Sequence, residues 1–109
     1  MNGQDLQIKQ REVYRSMEES KDEALKKEKE MAEHIKQYEM KLAVKMFSLR
    51  TDGHPASMVE RMAKGDPEIA ELKFKATVAE AEAKSARENI NIKKRIFDSL
   101  EATKKRELG

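Results

Sequence analysis

Between residues 5 and 50 the chain has neither Gly nor Pro, and its apolar residues recur at helical spacing. A heptad seam can be written with Tyr14, Lys21, Glu28, Ile35, Leu42 and Leu49 at one position and Met17, Ala24, Met31 and Tyr38 at the other. Its apolar quality improves toward the C-terminal end, where Ile35, Tyr38, Leu42, Val44, Met46, Phe47 and Leu49 cluster. The pattern predicts a helix over 5–50 whose first half is the looser. A second seam is cleaner: Ile69, Ala76, Ala83, Ile90 and Phe97 alternate with Leu72, Ala79, Ala86, Lys93 and Leu100, nine of the ten apolar. It predicts a helix over 67–107.

The connector over 51–66 carries the punctuation. Thr51-Asp52-Gly53-His54-Pro55 reads as a turn, and Lys64-Gly65-Asp66-Pro67 as a helix stop followed by a helix start. Ser57 and Glu60 have capping-box spacing, which predicts a short helix over 58–64 with Gly65 in the left-handed position beyond its end. Asp66 is placed to cap the second long helix, Pro67 to occupy its first turn with φ already set, and Glu68 to meet the positive end of its dipole.

Two helices of this length, each about 60–70 Å by helical rise, fold back most simply as an antiparallel pair. The expected fold is therefore all-α: a two-helix coiled-coil hairpin with a short connecting helix, in a single domain over 1–109. The expected register sets Leu49 near Ile69, Leu42 near Ala76, Ile35 near Ala83 and Glu28 near Ile90, with the alanines of the second helix opposite bulkier residues of the first. It also brings Lys93 toward Lys21 and Glu28, polar seam residues that would select one alignment. A second apolar stripe, Phe74, Val78 and Ala81, has to be covered by the short helix or by a second copy, and the latter predicts a homodimer tending toward a four-helix-type bundle.

Composition narrows the function classes. Of 109 residues 40% are charged and 5% aromatic, with 23 Lys and Arg against 21 Asp and Glu, for a formal net charge of +2. That balance, with helical periodicity, favours long helices over disorder. No Cys is present, which removes disulfides, thiolate zinc sites and thiol catalysis and fits a reducing cytoplasm. No apolar run approaches the roughly 18 residues of a membrane span, and the start, Met1-Asn2-Gly3-Gln4-Asp5, lacks the basic and apolar regions of a signal peptide. A cytoplasmic protein without membrane contact is expected.

Few residues suggest chemistry. His34 and His54 have no second His or Cys at ligand spacing, although Glu30 precedes His34 by one turn, and zinc needs three or four converging ligands. Gly65-Asp66-Pro67 sets an acidic cap and a proline where a phosphate would need free N–H groups. Carboxylate pairs such as Glu18-Glu19, Asp22-Glu23 and Glu80 with Glu82 read as solvated faces carrying i,i+4 ion pairs. No catalytic residue, metal, cofactor or small-molecule substrate is expected, and the protein is not expected to be an enzyme.

Two surfaces remain. At the closed end of the hairpin Val44, Phe47, Met58, Val59, Met62, Phe74 and Val78 form a Met-rich apolar set suited to a protein partner. At the open end Lys9, Arg11 and Arg15 from the first helix meet Lys93, Lys94, Arg95, Lys104, Lys105 and Arg106 from the second, for a local net charge of +4, enough to attract a phosphate backbone. Basic residues in the last turns of a helix also complement its dipole, so both explanations of this end stay open.

The stretch Arg61-Met-Ala-Lys-Gly-Asp-Pro-Glu-Ile-Ala-Glu-Leu-Lys-Phe, followed by Val78-Ala-Glu-Ala and Arg87-Glu-Asn-Ile-Asn-Ile-Lys-Lys, resembles small uncharacterised proteins of temperate phages and prophages of Gram-positive bacteria. The resemblance covers roughly the C-terminal half. It rests on the Ala63-to-Asp66 entry to the second helix and on Glu88, Ile90, Asn91 and Lys94 or Lys93 within it. Such proteins often end in Arg-Glu-Trp, whereas here Arg106-Glu107 is followed by Leu108-Gly109. The resemblance implies a helical hairpin encoded among early, DNA-metabolism genes, with an accessory role in phage replication, recombination or control of a host factor.

Overall fold

A computed structural model describes residues 2–108, with no side-chain description for Leu108; Met1 and Gly109, the ends of the expected domain and tail, lie outside it. Three helices follow one another: α1 Gly3–Thr51, α2 Ala56–Lys64 and α3 Pro67–Leu108. Among the described residues there is no strand, and no helix is long and apolar enough to cross a membrane. Contacts divide the chain into two units, one of residues 2–27 with 83–108, the other Glu28–Glu82.

In the Glu28–Glu82 unit α1 ends in a Schellman motif. The His54 amide donates to the Leu49 carbonyl and the Gly53 amide to that of Arg50, at 3.1 and 3.0 Å. Gly53 has φ +95°, a conformation that only glycine adopts without strain. Gly65, expected to be the left-handed residue, instead has φ −80° and ψ −10°. Its amide donates to the Arg61 carbonyl, so the end of α2 stays right-handed as the chain passes into the α3 cap. The two glycines should therefore respond oppositely to alanine. Gly53→Ala is expected to cost about 1 kcal/mol or more. Gly65→Ala, whose new methyl would meet backbone oxygens at an ordinary 3.4 and 3.6 Å, is expected to be neutral or to stabilise by about 0.4–1 kcal/mol. Urea unfolding of both variants checks the pair.

The capping box does not form. Pro55 is the N-cap of α2 and makes no side-chain cap bond, because the helix starts early enough to put Ser57 inside its first turn. Asp66, by contrast, caps α3 as expected: its Oδ1 accepts from the Glu68 and Ile69 amides at 2.9 and 3.3 Å, and its Oδ2 lies 3.4 Å from Lys45 Nζ. Burial pushes this carboxyl up, but the Ile69 and Glu68 amides and the Lys45 ammonium outweigh it and hold it below its ordinary value. A carboxylate depressed in the folded state contributes stability that is present above its unfolded value and lost as pH falls from there through the lowered folded value. Thermal melts from pH 7 to 3 should show this loss in the native chain and lose that component in Asp66→Asn, which keeps the cap but not the titration.

The core of this unit is Leu49, Val59 and Ala63, with Leu42, Met46 and Met62 packed against it. Ile69, Ala76 and Ala79 of α3 are also buried. Across the antiparallel pair Lys41 lies 3.8 Å from Glu68 and Lys73 Nζ lies 5.1 Å from the centre of the Tyr38 ring. These pairs, with Lys45 and Asp66, set a register in which Leu42, not Leu49, comes level with Ile69. The expected alignment is corrected by one heptad, and the cause is α2, which takes the place beside Leu49 that α3 was expected to fill.

In the other unit the same antiparallel sense is set by polar contacts. Gln10 Nε2 donates to Glu101 Oε2, and the Tyr14 and Phe97 rings sit 6.3 Å apart, tilted by 55°. Lys93 Nζ donates to the Ser20 hydroxyl at 2.6 Å and to the Ser16 carbonyl at 3.3 Å, and Asn89 Nδ2 donates to the Ser20 hydroxyl at 3.3 Å. Lys93 is indeed a polar seam residue, but Ser16 and Ser20 receive it in place of Lys21 and Glu28. The α1 seam here runs through Leu6, Gln10, Val13, Met17, Ser20 and Ala24, which are buried or half-buried, while Tyr14 and Lys21 are exposed. An α-helix turns 3.6 residues per turn, so a strict heptad drifts by about 20° per repeat. By Tyr14, five repeats back from Leu49, the drift has moved the inward position by one residue.

Candidate interaction surfaces

The expected apolar set at the closed end divides. Val59, at 2% exposure, belongs to the core and is unavailable to a partner; Met62 is half-buried against the same core. Val59 follows Met58 in α2, and one residue of helix rotates about 100°, so the two face different ways. The remaining residues form two strips. On α1 Met40, Val44 and Phe47 are 56, 67 and 75% exposed, and at helical spacing they occupy the face turned away from the seam. On α3 Phe74 and Val78 are exposed likewise and border a shallow groove with Glu30, His34, Lys75 and Glu82. Met58 is half exposed.

The expected basic set also divides, into seven exposed side chains and two half-buried ones, Lys93 and Lys104. Lys9, Arg11, Arg15, Lys94, Arg95, Lys105 and Arg106 are exposed. Lys93 is half-buried, and its ammonium donates to the Ser16 carbonyl and the Ser20 hydroxyl. Lys104 is half-buried beside Gln10, Arg11, Tyr14, Phe97 and Glu101, and Arg106 Nη2 donates to the Thr103 hydroxyl at 3.3 Å. Sequence reasoning missed Ile92 and Ile96, exposed on α3 beside Arg95, Ser99 and Leu100. Their i,i+4 spacing off the seam was the available signal.

Charge pairing elsewhere is superficial. Glu60 and Lys64 lie 2.7 Å apart, and their hydrogen bond and mutual attraction lower the carboxyl and raise the amine; an exposed pair of this kind contributes little to stability. Among the described residues no three His, Asp or Glu side chains gather as metal ligands. No known protein family matches the sequence, and no curated protein or solved structure matches the chain.

Proposed function

We propose that this chain is a non-enzymatic interaction protein, phage-encoded, that acts in the bacterial cytoplasm as an accessory to or modulator of DNA replication, recombination or a host factor. The observation that carries this reading is the pair of outward apolar strips in the Glu28–Glu82 unit, with Val44 and Phe47 of α1 67 and 75% exposed and Phe74 of α3 62% exposed beside Val78. Large exposed side chains grouped this way mark interaction sites. Phage origin and the link to DNA metabolism rest on the resemblance of the 61–94 stretch alone. Affinity capture from host lysate tests the reading: partners should be lost with Phe47→Ala/Phe74→Ala. Capture that is indifferent to both substitutions, with helicity intact by circular dichroism, would sink it.

Homodimerisation fits the α3 strip. Phe74 and Val78 are flanked by charges of both signs, Glu71, Lys75 and Glu82, so a second copy meets no uniform repulsion there. Sedimentation equilibrium is expected to show a dimer that Phe74→Glu converts to monomer. A second reading, nucleic-acid binding, is favoured by one observation: the seven exposed basic side chains Lys9, Arg11, Arg15, Lys94, Arg95, Lys105 and Arg106 in the unit of residues 2–27 and 83–108.

A further inference from the structure

The strip on the back of α1 is a seam in its own right. Gln37, Met40, Val44, Phe47 and Thr51 succeed one another at spacings of three and four, the a/d repeat of a coiled coil. Met40, Val44 and Phe47 span only about 60° of the helix at about 100° per residue. That is the width of a helix–helix seam and narrower than the apolar face of a helix lying on a membrane. The flanking e and g positions are Lys36, Lys41, Ala43, Ser48 and Arg50, all exposed and none a carboxylate. Glu39 lies outside them at a c position, and Glu33, one turn before Gln37, accepts the Gln37 amide at 3.0 Å.

We propose that this face docks an acidic amphipathic helix of another protein, with apolar residues at a and d and Glu or Asp opposite Lys36, Lys41 and Arg50. The inference rests on the interaction-protein reading and assigns the partner's chemistry. A second copy is the poorer occupant, because every charged flanking position is basic. A parallel pair would set Lys36 across from Lys41, and the antiparallel register that stacks Met40 on Val44 would set Lys36 across from Arg50; like charges so placed oppose association. The present partners of these cations do not block docking. Lys41 and Glu68 are 55 and 70% exposed at 3.8 Å, and Arg50 Nη1 donates to the His54 carbonyl at 3.2 Å; such surface contacts contribute little and exchange readily.

The test titrates the full chain with two synthetic peptides of about four heptads, long enough to be helical, that share Leu at a and d and differ in carrying Glu or Lys at every e and g. The Glu peptide is expected to bind at least about tenfold more tightly by fluorescence anisotropy, a preference that salt reduces. Amide shift changes should fall along the 36–51 face of α1. The variant Lys36→Glu/Lys41→Glu/Arg50→Glu should reverse the preference toward the Lys peptide; if it does not fold, shift mapping on the native chain decides. Equal binding of both peptides, no binding of either, or shifts on the Phe74 strip would overturn the proposal. So would binding of phosphatidylserine vesicles in place of the Glu peptide, or a dimer abolished by Val44→Asp. If the peptides fail while lysate capture still depends on Phe74, this inference falls and the interaction reading stands. If capture depends on neither Phe47 nor Phe74, the reading itself falls.

Discussion

Ala63→Leu is expected to destabilise the chain by about 1–3 kcal/mol, the usual penalty for inserting methylenes into a filled core. Ala63 is 0% exposed and touches Leu49 and Val59 where α1 and α2 meet, so a larger side chain has nowhere to go without moving α2. Because α2 leads directly into the Asp66 cap, its displacement also disturbs the start of α3. The complementary change, Val59→Ala, empties the same core and is expected to cost about 2 kcal/mol through lost burial and a residual cavity. Both should lower the melting temperature by roughly 4–8 °C per kcal/mol. The exposed neighbour Met58→Ala should shift it little, since surface substitutions usually stay within about 0.5 kcal/mol. Equal effects at 58 and 59 would contradict the placement of Val59 inside.

The second large effect concerns nucleic acid. If about six of the exposed cations neutralise phosphates, counterion release gives a slope of log affinity on log salt near −5 on duplex DNA, and binding weakens about a thousandfold between roughly 50 and 200 mM salt. Reversal of Arg95, Lys105 and Arg106 to glutamate should flatten the slope by about 0.9 for each contact removed. Lys93→Ala is the informative control, because its ammonium is held by Ser16 and Ser20 inside the unit; it should leave the slope unchanged. Electrophoretic or anisotropy titrations on single- and double-stranded DNA at several salt concentrations decide the matter, and no binding at about 50 mM would remove this second reading.

How much of this was legible along the chain depended on which physical rule governed each element. All ten expected seam positions of α3 are buried or half-buried, since a run of four seam alanines flanked by larger apolar residues, with only Lys93 polar, leaves one plausible inward face. Asp66-Pro67-Glu68 announced its helix start because each residue favours that position independently. In the N-terminal half of α1 only one of the two seam positions was legible: Met17 and Ala24 face inward as expected, while Val13 and Ser20 replaced Tyr14 and Lys21 as helical drift accumulated. Glycine identity alone did not separate the left-handed Gly53 from the right-handed Gly65, because both precede plausible stops and only the hydrogen bonds of the preceding turn distinguish them. The division of the partner surface was hidden for a similar reason: Met58 and Val59 are equally apolar, and only the tertiary position of α2 decides which one faces the core.

The turn at Gly53 has a consequence for the order of assembly. Leu49, Val59 and Ala63 meet across short intervals of chain, whereas the Ser20–Asn89 and Gln10–Glu101 contacts are separated by 69 and 91 residues. Closing a loop costs about 0.6 kcal/mol more for each doubling of its length, so the distant polar pairs gain most from forming after the turn has brought their helices together. On this ground the local contacts around the glycine turn are expected to form before the Lys93–Ser20 contacts. Amide exchange should proceed from the end bearing Gln10 and Glu101 toward Leu49, and a flexible insertion at Gly53 should slow folding while leaving the helical periodicity of both long segments untouched.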